Sequence, residues 1–235
     1  MNLQDWKNLK RNWYNTMYGS LEFFLNHPIC AIPLFYRRFF YSLNKHNMFN
    51  KSSLKTPEGF ELKSDMELLV YFQTFVAKNL YQKDLLNDLM YWVAPHIIDV
   101  GANVGLVTQW FKSFNKNTIF TCIEKSFDNV CRGLDINDTA RITWYSKAAS
   151  NFTDDDNLRI DDITKLPLFI FAIKIDTDGS NIKVLEGGLR TLNITKWLII
   201  EIEPGIEEFM TTKLPQFKLV NKPSPDDLVY LNSDS

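Results

Sequence analysis

The chain has 235 residues, 45% of them hydrophobic and 23% charged, and 26 Lys+Arg against 28 Asp+Glu leave a formal net charge of -2. This balance excludes collagen-like, coiled-coil and wholly disordered chains, and it gives no global positive field to draw in nucleic acid. Three cysteines (Cys30, Cys122 and Cys131) lack any CxxC spacing, so neither a disulfide framework nor a zinc site is supported and a cytoplasmic location is expected.

Residues 1–58 are rich in aromatics, among them Trp6, Trp13, Tyr14, Phe23, Phe35 and Phe39, with helical spacing over 3–25 and 34–43. They predict an N-terminal helical extension. It is read as a cap on a core, an acceptor-binding lid or dimer contact, or an interfacial helix touching a membrane through aromatics beside Arg37 and Arg38. The most apolar early stretch, 28–41, is broken by Pro33 and by Arg37-Arg38 and falls short of the ~20 apolar residues of a membrane span. A turn at 56–59 separates this extension from a second domain, 59–235.

Residues 64–92 predict a helix, with Ser64 and Glu67 as a capping box and Leu68, Leu69, Phe72, Phe75, Val76 and Leu80 as its core face. From residue 96 short apolar runs alternate with helical segments. Strands are expected at 96–100, 118–123, 142–145, 169–175 and 197–202, and helices at 104–114, 127–136 and 180–192. The polar stretch 151–165 shows no clear helix. Segments 216–220 and 228–231, flanking Pro223 and Pro225, predict a closing hairpin. The alternation implies a mainly parallel α/β sheet with helices on both faces.

The strongest chemical signal is Ile98-Asp-Val-Gly-Ala-Asn-Val-Gly105, where a strand runs directly into a helix. Gly101 permits a tight turn and close ligand approach, and unpaired helix N–H groups follow. The Gly101-x-x-x-Gly105 spacing is not GxGxxG. The acid Asp99 opposes a pyrophosphate and favours a ligand with an ammonium group. S-adenosylmethionine carries such a group and no phosphate, so it fits better than a nicotinamide dinucleotide. Glu124, at the end of the next strand, is placed to accept ribose hydroxyls.

Together with Arg159-Ile-Asp-Asp-Ile163, Ile173-Lys-Ile-Asp-Thr-Asp-Gly179, Val184-Leu-Glu-Gly-Gly188, Ile199-Ile-Glu-Ile202 and Asp226-Asp-Leu-Val-Tyr230, these motifs resemble the FkbM-type methyltransferases over about 95–231. Lys125 stands where that family commonly has Pro, and Asp-Thr-Asp-Gly179 where it commonly has Asp-Val-Glu-Gly. The resemblance implies a Rossmann-like class I fold with a seven-stranded mainly parallel sheet and a C-terminal antiparallel hairpin. It also implies S-adenosylmethionine as cofactor and O-methylation of a sugar, glycoconjugate or other small hydroxylated acceptor. The cofactor residues expected are Asp99, Gly101, Asn103, Gly105, Glu124, Lys125, Ala148 and Asp176.

Methyl transfer to a hydroxyl needs positioning and a proton acceptor. The catalytic candidates are Asp176, Asp178 and Lys174, with Lys174 expected to form an ion pair within the crevice. Glu201 and Glu203 lie near the end of the last parallel strand, and Asp176, Asp178 and Glu201 form a weaker candidate set for a divalent metal. His96 reads as structural, and Cys122 and Cys131 as buried packing groups. A small-molecule or glycan partner is expected, with no nucleic acid and no membrane span. The alternative function is a catalytically silent methyltransferase-like binding module.

Overall fold

The computed structural model describes residues 52–55, 61–64, 83–137, 140–163, 169–222 and 227–234, all within the chain unit Lys51–Ser235. β1 (Ser52–Lys55) and β2 (Glu61–Ser64) pair as an antiparallel hairpin that sequence patterning does not reveal. Ser64 therefore ends a strand. The expected helical segments 3–25 and 34–43, and the apolar stripe from Leu68 to Leu80, lie outside the described residues. The helix expected over 64–92 is present at its end as α1 (Lys83–Tyr91).

The remaining elements include the five expected strands, the expected helices and the closing hairpin, together with strands at Ala148–Ala149 and Asn157–Leu158 and helices at Ile160–Ile163 and Ile206–Lys213 that the patterning does not predict. They are β3 (His96–Val100), α2 (Leu106–Phe114), β4 (Ile119–Ile123), α3 (Phe127–Ile136), β5 (Ile142–Tyr145), β6 (Ala148–Ala149), β7 (Asn157–Leu158) and α4 (Ile160–Ile163). Then come β8 (Ile170–Ile175), α5 (Asn181–Gly187), α6 (Leu189–Asn193), β9 (Thr195–Glu201), α7 (Ile206–Lys213), β10 (Phe217–Asn221) and β11 (Asp227–Asn232). Two differences follow from local chemistry. The helix expected over 180–192 is broken at Gly187-Gly188, where a Cβ on Gly187 would stand 1.9 Å from the Ser150 carbonyl oxygen. The stretch expected to be irregular contains the four-residue helix α4. Asp161 in it accepts from Thr191 N and Thr191 Oγ1 at 2.8 and 2.7 Å, an anchorage made by tertiary contact rather than periodicity.

Seven strands form one sheet in the order β10-β11-β9-β8-β3-β4-β5. β5, β4, β3, β8 and β9 are parallel, and β11 and β10 run antiparallel at the edge, as the sequence predicts. Chain order reverses between β3 and β8, so a crevice opens there at the carboxyl ends of the strands. Central strands are buried on both faces: all six residues of β8 are buried. Ile97, Ala172, Trp197 and Ile199 pack with α1 and α2 on one face. Ile98, Ile173, Leu198 and Ile200 pack with the later helices on the other. Cys122 is buried as expected, whereas Cys131 is exposed on α3. No described helix is long and apolar enough to cross a membrane.

Candidate active site

The turn after β3 is built from left-handed backbone. Gly101, Asn103 and Gly105 have φ of 73°, 51° and 77°, a region open to Gly and tolerated by Asn. At Gly101 the requirement is steric as well: a Cβ would lie 1.7 Å from the Asp176 carbonyl oxygen. The Gly101 and Ala102 N–H groups donate to the Ile123 carbonyl at 2.9 and 3.2 Å, and Asp176 N–H donates to the Val100 carbonyl at 3.1 Å. The turn is thereby clamped between the ends of β4 and β8.

Glu124 follows β4 and is buried. Its Oε2 accepts the Asn103 N–H at 3.0 Å, and its Oε1 accepts the Ser126 N–H at 2.7 Å. A carboxylate has about four acceptor sites. Two are occupied, which fixes the side chain's orientation at the cavity wall.

Asp99 and Lys174 are register partners on β3 and β8. The Lys174 ammonium lies 3.5 Å from Asp99 Oδ1 and 3.1 Å from Asp176 Oδ2, and it donates to the Gly101 carbonyl at 3.3 Å. The expected ion pair in the crevice is present. Burial alone would lower the Lys174 pKa, but Asp99 and then Asp176 outweigh it and hold the ammonium above its usual range. Lys174 is thus a fixed cation whose donors are committed to three oxygens.

A cavity of about 350 Å³ occupies the crevice, within the range of small-molecule sites. It brings together Gly101, Asn103, Glu124, Lys125, Ala148, Lys174, Asp176 and Asp178 from the predicted set. Two predicted cofactor residues do not line it. Asp99 is buried beneath the turn, and its carboxylate is occupied by Thr108 Oγ1 at 2.8 Å and by Lys174. Its Oδ1 is a buried oxygen without a hydrogen bond, 3.5 Å from the Lys174 ammonium. Gly105 opens α2, and a Cβ there would stand 3.1 Å from Trp144, so packing sets its identity. Ser126, Asn129, Thr177 and Ser180 also line the cavity and were not anticipated, because short polar residues beside a strand end carry no periodic signal.

Beyond β8, Asp178 (φ 23°) and Gly179 (φ 81°) form a tight turn closed by Asn181, whose Oδ1 accepts from Thr177 N and Oγ1 at 3.0 and 2.8 Å. The buried Asn181 also donates to the Glu201 carbonyl at 3.0 Å. Glu203 is a helix cap, its two oxygens accepting from Asn181 N and Ile182 N at 3.1 and 2.9 Å. The Glu201 carboxyl is pushed up to about 7, by burial first and then by Asp176, Asp178 and Asp227, with Lys174 opposing.

The remaining candidates are structural or lie elsewhere. His96 Nε2 is 2.9 Å from Thr121 Oγ1, and burial lowers its pKa. Asp154 closes a surface turn with Asn157, and Asp162 accepts from Thr153 Oγ1 at 2.7 Å. Among the described residues no three His, Cys, Asp or Glu side chains form a group able to hold a metal ion, so Asp176, Asp178 and Glu201 are not gathered into one. Cys30 lies outside the described residues.

No protein-family model matches the chain, and no curated protein does. Solved structures do match. The METTL16 MTase domain aligns with a TM-score of 0.51 at 9% identity, covering 84% of this chain and 91% of that one. The Methanococcus jannaschii fibrillarin pre-rRNA processing protein aligns at 0.49 and 14% identity, covering 81% and 86%. M. capricolum TrmK, in complex with the natural cofactor product S-adenosyl-homocysteine, aligns at 0.42 and 12% identity, covering 65% and 69%. The expectation of no nucleic-acid partner is corrected here: the likeness to the METTL16 MTase domain shows the fold, and that fold does not exclude a nucleic-acid acceptor. Whole-chain charge sums over surfaces that never face a ligand and does not decide the acceptor. With this strand order and this likeness, the chain has the Rossmann-like fold of the class I methyltransferases.

Proposed function

We propose that the chain is an S-adenosylmethionine-dependent methyltransferase that transfers the methyl group to a hydroxyl of a small acceptor such as a sugar or glycoconjugate. The observation that carries this reading is the convergence of the glycine turn and Glu124 on one cavity at the reversal point of the sheet. The resemblance of the motifs to those of the FkbM-type enzymes supports the choice of a hydroxyl acceptor.

The residues present fit the cofactor. Glu124 keeps acceptor sites for a ribose diol, and Ile123 and Ala148 give the adjoining wall apolar surface for a flat base. Lys174 and Asp176 line the same cavity, and the Asp176 carboxylate would be available to the cationic amino-acid portion of the cofactor. When bound, the sulfonium supplies an electrophilic methyl group. The chain's own residues then orient the acceptor oxygen in line with it and exclude water, and positioning of this kind supplies up to roughly 7–11 kcal/mol of a barrier.

The test is calorimetric titration of the full chain with S-adenosylmethionine and S-adenosylhomocysteine, followed by methyl transfer from a tritiated donor to sugars, glycoconjugates and RNA. Saturable binding that Glu124→Ala weakens, with label in a sugar-bearing acceptor, is the expected result. No binding at millimolar cofactor overturns the reading. Label in RNA alone replaces the small acceptor, and binding without any turnover leaves a methyltransferase-like binding module.

A further inference from the structure

The sheet register stacks the charged residues of the crevice in two rows. The lower row is the buried pair Asp99 and Lys174, directly opposite one another on β3 and β8. Because Ile175 pairs with Ile200, the next step up places Asp176 beside Glu201, and Glu201 is paired in turn with Asp227 on β11. Neighbouring strands lie about 4.8 Å apart, and residues in register point to the same face. The upper row is therefore Asp176, Glu201 and Asp227, of which Asp176 lines the cavity and Glu201 is its neighbour on the same face of the sheet.

The carboxylates near this rim are not equivalent. Asp176 Oδ2 is already engaged by the Lys174 ammonium at 3.1 Å. Both oxygens of Glu203 are committed to the start of α5. Asp178 is exposed on the turn. Glu201 is half-buried, and among the described residues its carboxyl makes no hydrogen bond or ion pair, while Asn181 fixes its backbone carbonyl.

We infer that Glu201 is the proton acceptor for the acceptor hydroxyl, a role that rests on the methyltransferase reading above. In the step, a lone pair of the acceptor oxygen forms the O–C bond to the methyl carbon. The C–S bond breaks with its electron pair passing to sulfur, leaving the neutral thioether. The hydroxyl proton goes to a Glu201 carboxylate oxygen and from there to water. The charged groups that face Glu201 are Asp176, Asp178 and Lys174 from β8 and its turn, and Asp227 from β11. Three of the four are acidic, and together with burial they raise its proton affinity into the range where a general base works best.

The test is a carbon-13 NMR titration of the full chain, labelled at glutamate side-chain carboxyls and saturated with S-adenosylhomocysteine, with the Glu201 signal assigned by its loss in Glu201→Gln. A midpoint near the value of about 7 is expected. A midpoint in the ordinary range of about 4.3 overturns the inference. On an acceptor labelled in the panel above, Glu201→Gln is expected to lose about 10²-fold or more in rate, and with it the rise of rate through that midpoint, while homocysteine-cofactor affinity is retained. A variant that turns over like the parent also overturns it. Failure of the parent chain to bind S-adenosylhomocysteine is a separate result and removes the methyltransferase reading itself.

Discussion

The Asn103 backbone N–H donates to Glu124 Oε2 at 3.0 Å, so the glycine turn after β3 is tied to the end of β4. One carboxylate therefore both shapes the turn and faces the cavity. Glu124→Ala is expected to weaken S-adenosylhomocysteine binding by about 10- to 10²-fold, since hydrogen bonds to a charged group contribute roughly 1.5–3 kcal/mol. Glu124→Gln, which keeps the shape but loses one acceptor oxygen, is expected to fall between the two. Calorimetry measures both.

Lys174 and Asp99 are both almost fully buried. Lys174→Met leaves the Asp99 carboxylate buried without its cation, and a cost of about 3–5 kcal/mol is expected. Adding Asp99→Asn removes the uncompensated charge and is expected to restore most of the loss. Urea denaturation of the two single variants and the double variant reads this directly, because the effects of contacting residues do not add.

Gly101 and Gly179 both have positive φ, yet their surroundings differ. A Cβ at Gly101 meets the Asp176 carbonyl oxygen at 1.7 Å, whereas nothing lies within 4 Å of one at Gly179. Gly179→Ala is expected to cost only the backbone penalty, roughly 1–2 kcal/mol. Gly101→Ala must in addition part β3 from β8 and is expected to leave little folded protein. Thermal melts and soluble yield separate these outcomes.

Glu201 provides a test in pH. Its carboxyl is raised from 4.5 to about 7 in the folded chain, so the folded state binds more protons than the unfolded state between those values. Stability contributed by the protonated form is fully present below the lower value and is lost as pH rises through the upper one. Glu201→Gln removes that loss. The variant is expected to match the parent's melting temperature near pH 4 and to exceed it modestly near pH 8, by roughly 2–4 °C at most once solvent screening is allowed for.

The central strands were legible because buried parallel strands read as continuous apolar runs, as in Phe171-Ala-Ile-Lys-Ile175 and Trp197-Leu-Ile-Ile200. Glu124 was legible because a strand end followed by an acid marks the crevice of this fold. What a neighbouring strand already does to a side chain was not. Asp99 reads from the sequence as facing a ligand, but the register of β3 and β8 sets Lys174, 75 residues later, directly opposite it (174 − 99 = 75) and buries the two as an ion pair. Cys131 looked like a core residue, yet helix phase on α3 turns it to solvent. The β1–β2 hairpin escaped notice because Ser52-Ser-Leu-Lys55 and Glu61-Leu-Lys-Ser64 each carry a single apolar residue, too few to set a period.

Asp176, Asp178 and Glu201 stand at or just beyond the last residues of β8 and β9, above a core that ends with Ile175 and Ile200. On the methyltransferase reading proposed above, the side chains that meet an acceptor would thus be separable from those that keep the sheet folded. Lineages, or engineers, can exchange residues along this rim to explore new substrates while the apolar layers beneath stay intact. Lys174 is the exception, since it is buried in the core and ion-paired with Asp176 at the rim, so that a change there would reach both layers at once.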